Sequence, residues 1–111
     1  MTTFQDGPAK GRTLMLKRAP IFLRVVVDAR GKWDALDQVD DEPAADEKLY
    51  AYQLAENPGH CHINAGRGRG GFYPMARYCL ISPQPAESEM RTTLAWIKWV
   101  EDHKHTAIVK P

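Results

Sequence analysis

The stretch IFLRVVV, residues 21–27, decides the fold, because it is rich in β-branched and aromatic side chains and is apolar on both faces. This pattern predicts a strand inside a sheet that is covered on both sides. Ala19-Pro20 interrupts the chain before it, and Ala29-Arg30-Gly31 ends it. Upstream of the interruption, residues 13–17 predict a shorter strand.

The next two strands are predicted from alternation and from a turn signal. In residues 48–54, Leu49, Ala51 and Gln53 face one way, and Tyr50, Tyr52 and Leu54 face the other. Asn57-Pro58-Gly59 is a strong turn signal, so residues 60–64 are expected to return beside residues 48–54 as a hairpin. Residues 72–81 predict a long strand, in which Pro74 indicates an edge position or a bulge.

Two segments lack strand character. Residues 1–11 contain Gly7, Pro8 and Gly11 without an apolar period, which predicts a loose arm. In residues 32–47, apolar side chains recur at every third position, which predicts one short helical turn. These side chains are Trp33, Leu36 and Val39.

The C-terminal part predicts one long helix over residues 85–104. Pro85 suits the first helical position, and Glu87 and Glu89 lie in the first turn, where the helix dipole favours acids. One apolar stripe is formed by Met90, Thr93, Leu94, Ile97 and Val100, with Trp96 at its edge. Trp99 is expected beside the polar face, covered by the arm, by the C-terminal tail or by a partner.

The fold class that follows is α+β, with an antiparallel sheet of about five strands and one long C-terminal helix packed on it. A chain of 111 residues fits a single domain, residues 1–111. Its 43% apolar and 26% charged residues are typical of a globular protein and argue against disorder. Since no apolar run reaches the length of a membrane span and residues 1–6 carry no signal core, we expect a cytoplasmic protein.

Charge is distributed unevenly although the net charge is only +1. Residues 1–33 carry seven basic and two acidic side chains, and residues 34–56 carry eight acidic and one basic. Residues 57–81 carry three arginines and no acid. A uniformly basic coat for nucleic acid is therefore excluded, but a local basic site is not.

The clearest candidate site is the loop with the sequence GRGRGGFY, residues 66–73. Its glycines allow backbone amides to turn inward around an anion, its arginines match phosphate oxygens, and its aromatic residues can stack a base. We predict ligand binding by Gly66, Arg67, Gly68, Arg69, Gly70, Gly71 and Tyr73. The loop is not a phosphate-binding NTPase loop, since no Lys-Ser or Lys-Thr follows. The alternative is a flexible hairpin loop kept soluble by two arginines.

The pair His60 and His62 is a second candidate, because both share one face of a strand and could line the ligand surface. A metal site would need more ligands than this pair supplies, so no metal or other cofactor is predicted. The pair could also act in acid–base catalysis with Tyr50 or Tyr52 on the predicted neighbouring strand. Since no nucleophile motif accompanies them, a binding protein is favoured over an enzyme.

Three phrases of the sequence resemble small uncharacterised phage and prophage accessory proteins. They are residues 13–26 (TLMLKRAPIFLRVV), 33–38 (WDALDQ) and 66–73 (GRGRGGFY). The resemblance carries no catalytic residue across. It implies a protein that acts stoichiometrically, either by inhibiting a host defence protein or by sequestering a nucleotide signal, with the arginine loop repeated in a homo-oligomer.

We therefore predict a non-enzymatic accessory protein that binds or sequesters a nucleotide or another phosphate-bearing ligand through residues 66–71. A protein–protein inhibitor of a host protein is the first alternative, using Trp99, the basic arm and the acidic segment. A small hydrolase that depends on His60 and His62 is the second. A homo-oligomer without membrane contact is expected in the favoured case.

Overall fold

The computed structural model describes residues 1–36, 41–56, 59–63 and 71–105, with 59–63 and 71–74 described by their backbone alone. These residues form seven strands followed by two helices. The strands are β1 (Thr2–Phe4), β2 (Thr13–Leu14), β3 (Phe22–Val27), β4 (Trp33–Leu36), β5 (Lys48–Leu54), β6 (Gly59–Ile63) and β7 (Gly71–Leu80). The helices are α1 (Glu87–Arg91) and α2 (Thr93–His103).

The sheet has the order β2-β1-β7-β5-β3-β4, and β6 pairs with β7 outside that order. All pairings are antiparallel except that of β1 with β7, which is parallel. The α+β class is confirmed, whereas the prediction of about five antiparallel strands was too simple. β3 lies between β4 and β5 and is buried on both faces, as the run of residues 21–27 predicted.

The predicted hairpin of residues 48–54 with residues 60–64 was wrong. Leu54 of β5 pairs with Tyr78, and Gly59 of β6 pairs with Met75, so β5 and β6 run in the same direction along β7. Glu56 also forms a bridge, and the amide of Ala55 donates to the carbonyl of Arg77 at 2.8 Å. β6 thus does not return along β5, and its antiparallel partner is β7.

Trp33 and Leu36 of the predicted helical turn belong to the strand β4, and Val39 lies outside the described residues. β4 returns along β3 through a tight hairpin, in which Gly31 adopts a positive φ of 83°. The Oδ1 atom of Asp28 accepts the amides of Arg30 and Lys32, both at 2.9 Å, and thereby fixes this turn. A period of three over Trp33 and Leu36 was therefore misleading, because the turn chemistry before it selects a strand.

The N-terminal segment belongs to the sheet rather than forming the loose arm that its glycines predicted. Thr2 and Phe4 of β1 are buried, and Ala9 is buried in the same apolar cluster as Phe4. Two tyrosine hydroxyls hold that segment in place. Tyr52 donates to the carbonyl of Asp6 at 2.9 Å and accepts the amide of Ala9 at 3.0 Å, and Tyr78 donates to the carbonyl of Pro20 at 2.6 Å.

Each face of the sheet supports its own apolar cluster. The first face carries Tyr52, Leu54, Leu23 and Val25 and is covered by residues 5–20. The second face carries Phe22, Val26, Leu49 and Ala51 and is covered by α1 and α2. The alternation predicted for β5 is therefore confirmed for the residues that enter these two clusters.

The C-terminal helix is broken at Thr92, whose φ of −107° and ψ of 142° are extended. The Oγ1 atom of Thr92 accepts the amide of Ala95 at 3.3 Å and caps α2. The break turns Trp96 and Trp99 towards the sheet, and leaves Leu94 82% exposed. The predicted single helix, with Leu94 in its buried stripe and Trp99 beside its polar face, was therefore wrong.

Candidate functional site

The predicted ligand loop connects β6 to β7 in the sequence, and these two strands pair as a β-ribbon. Five residue pairs, from Gly59 with Met75 to Ile63 with Gly71, form this ribbon, which is about 16 Å long. The main sheet pairs with β7 only from Ala76 onwards, so the ribbon extends beyond it. Gly66, Arg67, Gly68, Arg69 and Gly70 lie outside the described residues, and Gly71 is the first residue of β7.

The ribbon register separates the aromatic and histidine candidates. His62 pairs with Phe72, and Cys61 pairs with Tyr73. Because directly paired residues occupy the same face of a sheet, the backbone positions of His60 and His62 belong to one face and that of Tyr73 to the other. The strand β6 also pairs with β7 rather than with β5, so the proposed acid–base pairing with Tyr50 or Tyr52 across a hairpin was wrong.

The sheet separates the charges of the described residues into two sides. The first side carries exposed cations on residues 5–20, on the β3–β4 turn and at the start of β5. They are Lys10, Arg12, Lys17, Arg18, Arg30, Lys32 and Lys48. We call this side the basic face.

Two carboxylates accompany these cations on residues 5–20 and in the β3–β4 turn, and backbone amides engage both of them. The Oδ1 atom of Asp6 accepts the amide of Leu80 at 2.7 Å. Asp28 accepts the amides of its own turn, and the hydrogen bond from Lys32 contributes most to holding the pKa of Asp28 below its usual value. The positive charge of the basic face is therefore only partly balanced by these acids.

The opposite side of the sheet carries the helices and the acidic segment of residues 41–47. Arg91 holds that segment by donating to the carbonyl of Glu47 at 2.8 Å, and Arg24 does so by donating to the carbonyl of Asp41 at 2.8 Å. The acids of this side are Asp41, Glu42, Asp46, Glu47, Glu87, Glu89, Glu101 and Asp102. These acids share their side of the sheet with Arg24, Arg91, Lys98 and Lys104.

Two half-buried aromatic side chains lie on the basic face, at the end nearest the β3–β4 turn. Trp33 and Tyr50 pack on the first cluster, and their ring centroids are 6.1 Å apart at an interplanar angle of 32°. Trp33 and Lys48 both pair with Val27, from opposite sides, so the three residues form one row across the sheet. We call Trp33, Tyr50, Arg30, Lys32 and Lys48 the aromatic–basic cluster.

A cleft of about 440 Å³ lies on the other side, between residues 81–86 and the end of α2. His103 stacks on Trp99 with centroids 4.1 Å apart, and its Nδ1 lies 2.8 Å from the carbonyl oxygen of Trp99. Since a carbonyl only accepts, Nδ1 carries a proton and Nε2 of a neutral ring is the acceptor. Glu89 also lines the cleft.

Some polar side chains that line this cleft already form hydrogen bonds to the backbone of the sheet. The amide group of Gln84 accepts from the backbone of Ala51 at 2.8 Å and donates to its carbonyl at 2.9 Å, in the manner of a neighbouring strand. Phe22 meets Trp99 edge-on at 5.0 Å. The cleft is therefore a well-supported concavity, and none of the described residues that line it is a predicted site residue.

The described part of the chain contains neither a metal-binding group nor a membrane-spanning helix. Within it, no group of three or more His, Cys, Asp or Glu side chains could hold a metal ion. Among the same residues, no helix is long and apolar enough to span a membrane. Burial contributes most to raising the pKa of the Cys79 thiol, so its reactive thiolate form is disfavoured.

Comparison with known proteins gave no relative. A scan of protein-family models, a search of curated proteins and a search of solved structures each returned no match. The resemblance to phage accessory proteins is therefore supported by sequence phrases alone.

Sequence reasoning missed the aromatic–basic cluster because its members are separated along the chain. Trp33 was assigned to a helical turn, and Lys48 was counted only as one cation in an acidic block. The available signal was the turn chemistry of Asp28 and Gly31, which predicts a hairpin and hence Trp33 beside Val27.

Proposed function

We propose that the protein is a non-enzymatic binding protein for a nucleotide or another phosphate-bearing ligand, held by residues 66–71. The observation that carries the proposal is the sequence itself, which combines four glycines and two arginines with Phe72 and Tyr73. Inward backbone amides and guanidinium groups are the donors that phosphate oxygens require. The ribbon supports the proposal, because Ile63 and Gly71, which flank residues 64–70 in the sequence, are paired.

The ribbon register refines the roles of the remaining candidates. We keep Gly71 among the predicted binding residues, because it is the first residue of β7 and lies close to Arg69 in the sequence. The backbone positions of Tyr73 and of the two histidines belong to opposite faces of the ribbon, so we propose separate roles for them. We assign base stacking to Tyr73, and leave His60 and His62 as contacts for a larger ligand that wraps around the ribbon.

Calorimetry with cyclic nucleotides, NAD derivatives and short oligonucleotides tests this function. We expect at least one of these compounds to bind the wild type, and the Arg67→Ala, Arg69→Ala variant to lose that binding. A matched control is Lys98→Ala with Lys104→Ala, which removes one cation from α2 and one from its C-cap, where Lys104 pairs with Glu101. Equal binding by the wild type and the arginine variant would contradict the proposal.

An interaction with a host protein is the second candidate, favoured by the exposed apolar surface of α2. Leu94 is 82% exposed and Ile97 is 39% exposed, one helical turn apart. Trp99 cannot serve this role as first predicted, since it is buried against Phe22. Co-purification of a host protein that Leu94→Lys with Ile97→Lys abolishes, and that the arginine variant retains, would support this function instead.

A further inference from the structure

We propose that the aromatic–basic cluster is a binding surface for single-stranded nucleic acid. It is a second surface, formed entirely by described residues, and it does not depend on residues 66–71. Two features of the cluster carry the inference, namely its arrangement of charge and its pair of half-buried rings.

The charge arrangement follows from strand pairing. Lys48 and Trp33 flank Val27 in one row, and Arg30 and Lys32 belong to the turn that leads into Trp33. Asp28 lies in this turn, where its Oδ1 atom accepts two backbone amides, and Asp34 follows Trp33 in β4. Three exposed cations therefore accompany the aromatic pair, and Glu87 borders the concavity that Lys48 and Tyr50 line. A local excess of cations attracts a phosphate backbone.

The rings distinguish nucleic acid from other polyanions. Trp33 and Tyr50 are half-buried, so each ring is supported by the first cluster and retains accessible surface. Supported aromatic side chains within a basic surface are the usual platform on which unpaired bases stack. A duplex conceals its base faces, and an anionic lipid surface has no planar group to stack, so single-stranded nucleic acid fits the cluster best.

The ribbon and the cluster lie in different parts of the sheet, so their contributions can be separated by mutation. The cluster is formed by β4, by the start of β5 and by the β3–β4 turn, whereas the ribbon extends from β7. Loss of binding in one variant therefore does not imply loss in the other.

Fluorescence anisotropy with labelled oligothymidylate, measured over a series of salt concentrations, tests the inference. We expect Lys32→Ala with Lys48→Ala to weaken binding and to reduce the slope of log K against log salt by about 1.4, at about 0.7 for each cation removed. Lys98→Ala with Lys104→Ala is the matched control and should retain the wild-type slope. All four lysines are exposed, so these variants should fold normally.

Substitution of Trp33 tests stacking separately from charge. Trp33→Leu should weaken binding about tenfold because it removes the ring, whereas Trp33→Phe should retain most of the affinity. Thermal unfolding of both variants verifies that each one is folded at the temperature of the assay. Equal affinity for Trp33→Leu and the wild type would contradict the stacking role and overturn the inference.

The remaining outcomes separate this surface from the loop and from other partners. Binding that survives in Arg67→Ala, Arg69→Ala but weakens in the lysine variant supports the inference and contradicts the loop as the site for this ligand. The reverse result overturns the inference and leaves the proposed function intact. Two outcomes without oligonucleotide binding also overturn it: binding to phosphatidylserine vesicles, and self-association that the lysine variant abolishes.

Discussion

Arg24 donates a 2.9 Å hydrogen bond from Nη1 to the carbonyl oxygen of Met90, and so connects the middle of β3 with the end of α1. Arg24 is only 1% exposed, and its guanidinium carbon lies 5.6 Å from the ring centroid of Trp96. Burial lowers the pKa of Arg24, and Asp41 and Glu42 oppose that change through their negative charges. One charged side chain therefore joins the sheet, the helix break and the acidic segment.

Arg24→Met should destabilise the protein by about 2 to 4 kcal/mol, since it removes the Arg24 donors to the carbonyls of Met90 and Asp41. Urea unfolding followed by tryptophan fluorescence measures this change. The control is Arg77→Met, which removes an exposed ion pair with Glu56 and should change the free energy of unfolding by less than about 1 kcal/mol. Similar values for the two variants would contradict a structural role for Arg24.

The buried face of α2 is tested by comparing Trp99→Ala with Leu94→Ala. Trp99 is 8% exposed, and its loss should destabilise the protein by about 3 to 5 kcal/mol. Leu94 is 82% exposed, and its loss should change stability by no more than about 0.5 kcal/mol. The opposite ranking in urea unfolding would contradict the burial of Trp99 and the exposure of Leu94, and would fit the single helix that the sequence predicted instead.

Gly7 and Gly11 form a matched pair for testing how residues 5–20 cover the sheet. Both have a positive φ, of 71° and 86°, so an alanine at either position is strained by about 1 to 2 kcal/mol. A Cβ at Gly7 would also lie 2.6 Å from the hydroxyl of Tyr52, whereas a Cβ at Gly11 would meet nothing within 4 Å. Gly7→Ala should therefore lower the melting temperature more than Gly11→Ala does.

The tyrosine hydroxyls should make stability fall at alkaline pH. Burial raises the pKa of both Tyr52 and Tyr78, so the folded state retains their protons above the ordinary tyrosine value of about 10. The unfolded state loses those protons first, and its ionisation lowers the free energy of unfolding as pH rises through about 10 and above. Below that range, the contribution of both hydroxyls is fully present.

Urea unfolding at neutral pH and at successive values above about pH 10 measures this dependence. Tyr78→Phe should be less stable than the wild type at neutral pH, by about 1 kcal/mol, since the carbonyl of Pro20 loses its donor. The same variant should lose less stability than the wild type as pH rises. An identical alkaline decline in both proteins would show that Tyr78 does not cause it.

The features of the fold that were predicted correctly are those set by residues close together in sequence. The two-faced burial of β3 and the alternation of Leu49 and Ala51 against Tyr50 and Tyr52 follow from side chains that point to opposite faces of a strand. The α+β class followed from the same reasoning. The strand β1 was not predicted, because residues 1–11 show no apolar period. It forms by pairing with β7, and the paired residues are more than seventy positions apart.

The errors arise where a distant contact overrides a local signal. The break at Thr92 accompanies the hydrogen bond from Arg24 to Met90, and no window of sequence around the helix contains that donor. The predicted hairpin of residues 48–54 with residues 60–64 failed for a similar reason, since β5 and β6 both pair with β7. The candidate loop could be predicted only from its composition, and the aromatic–basic cluster required the strand register.

The parallel pairing of β1 with β7 also has a consequence for synthesis on the ribosome. The partner positions of Thr2, Thr3 and Phe4 are residues 76–78, so β1 cannot pair with β7 until those residues have been made. Until those residues leave the exit tunnel, the nascent chain cannot complete its sheet, and Phe4 has no finished core to enter. Such long-range closure favours slow folding, because β1 can join the sheet only once residues 76–78 are available.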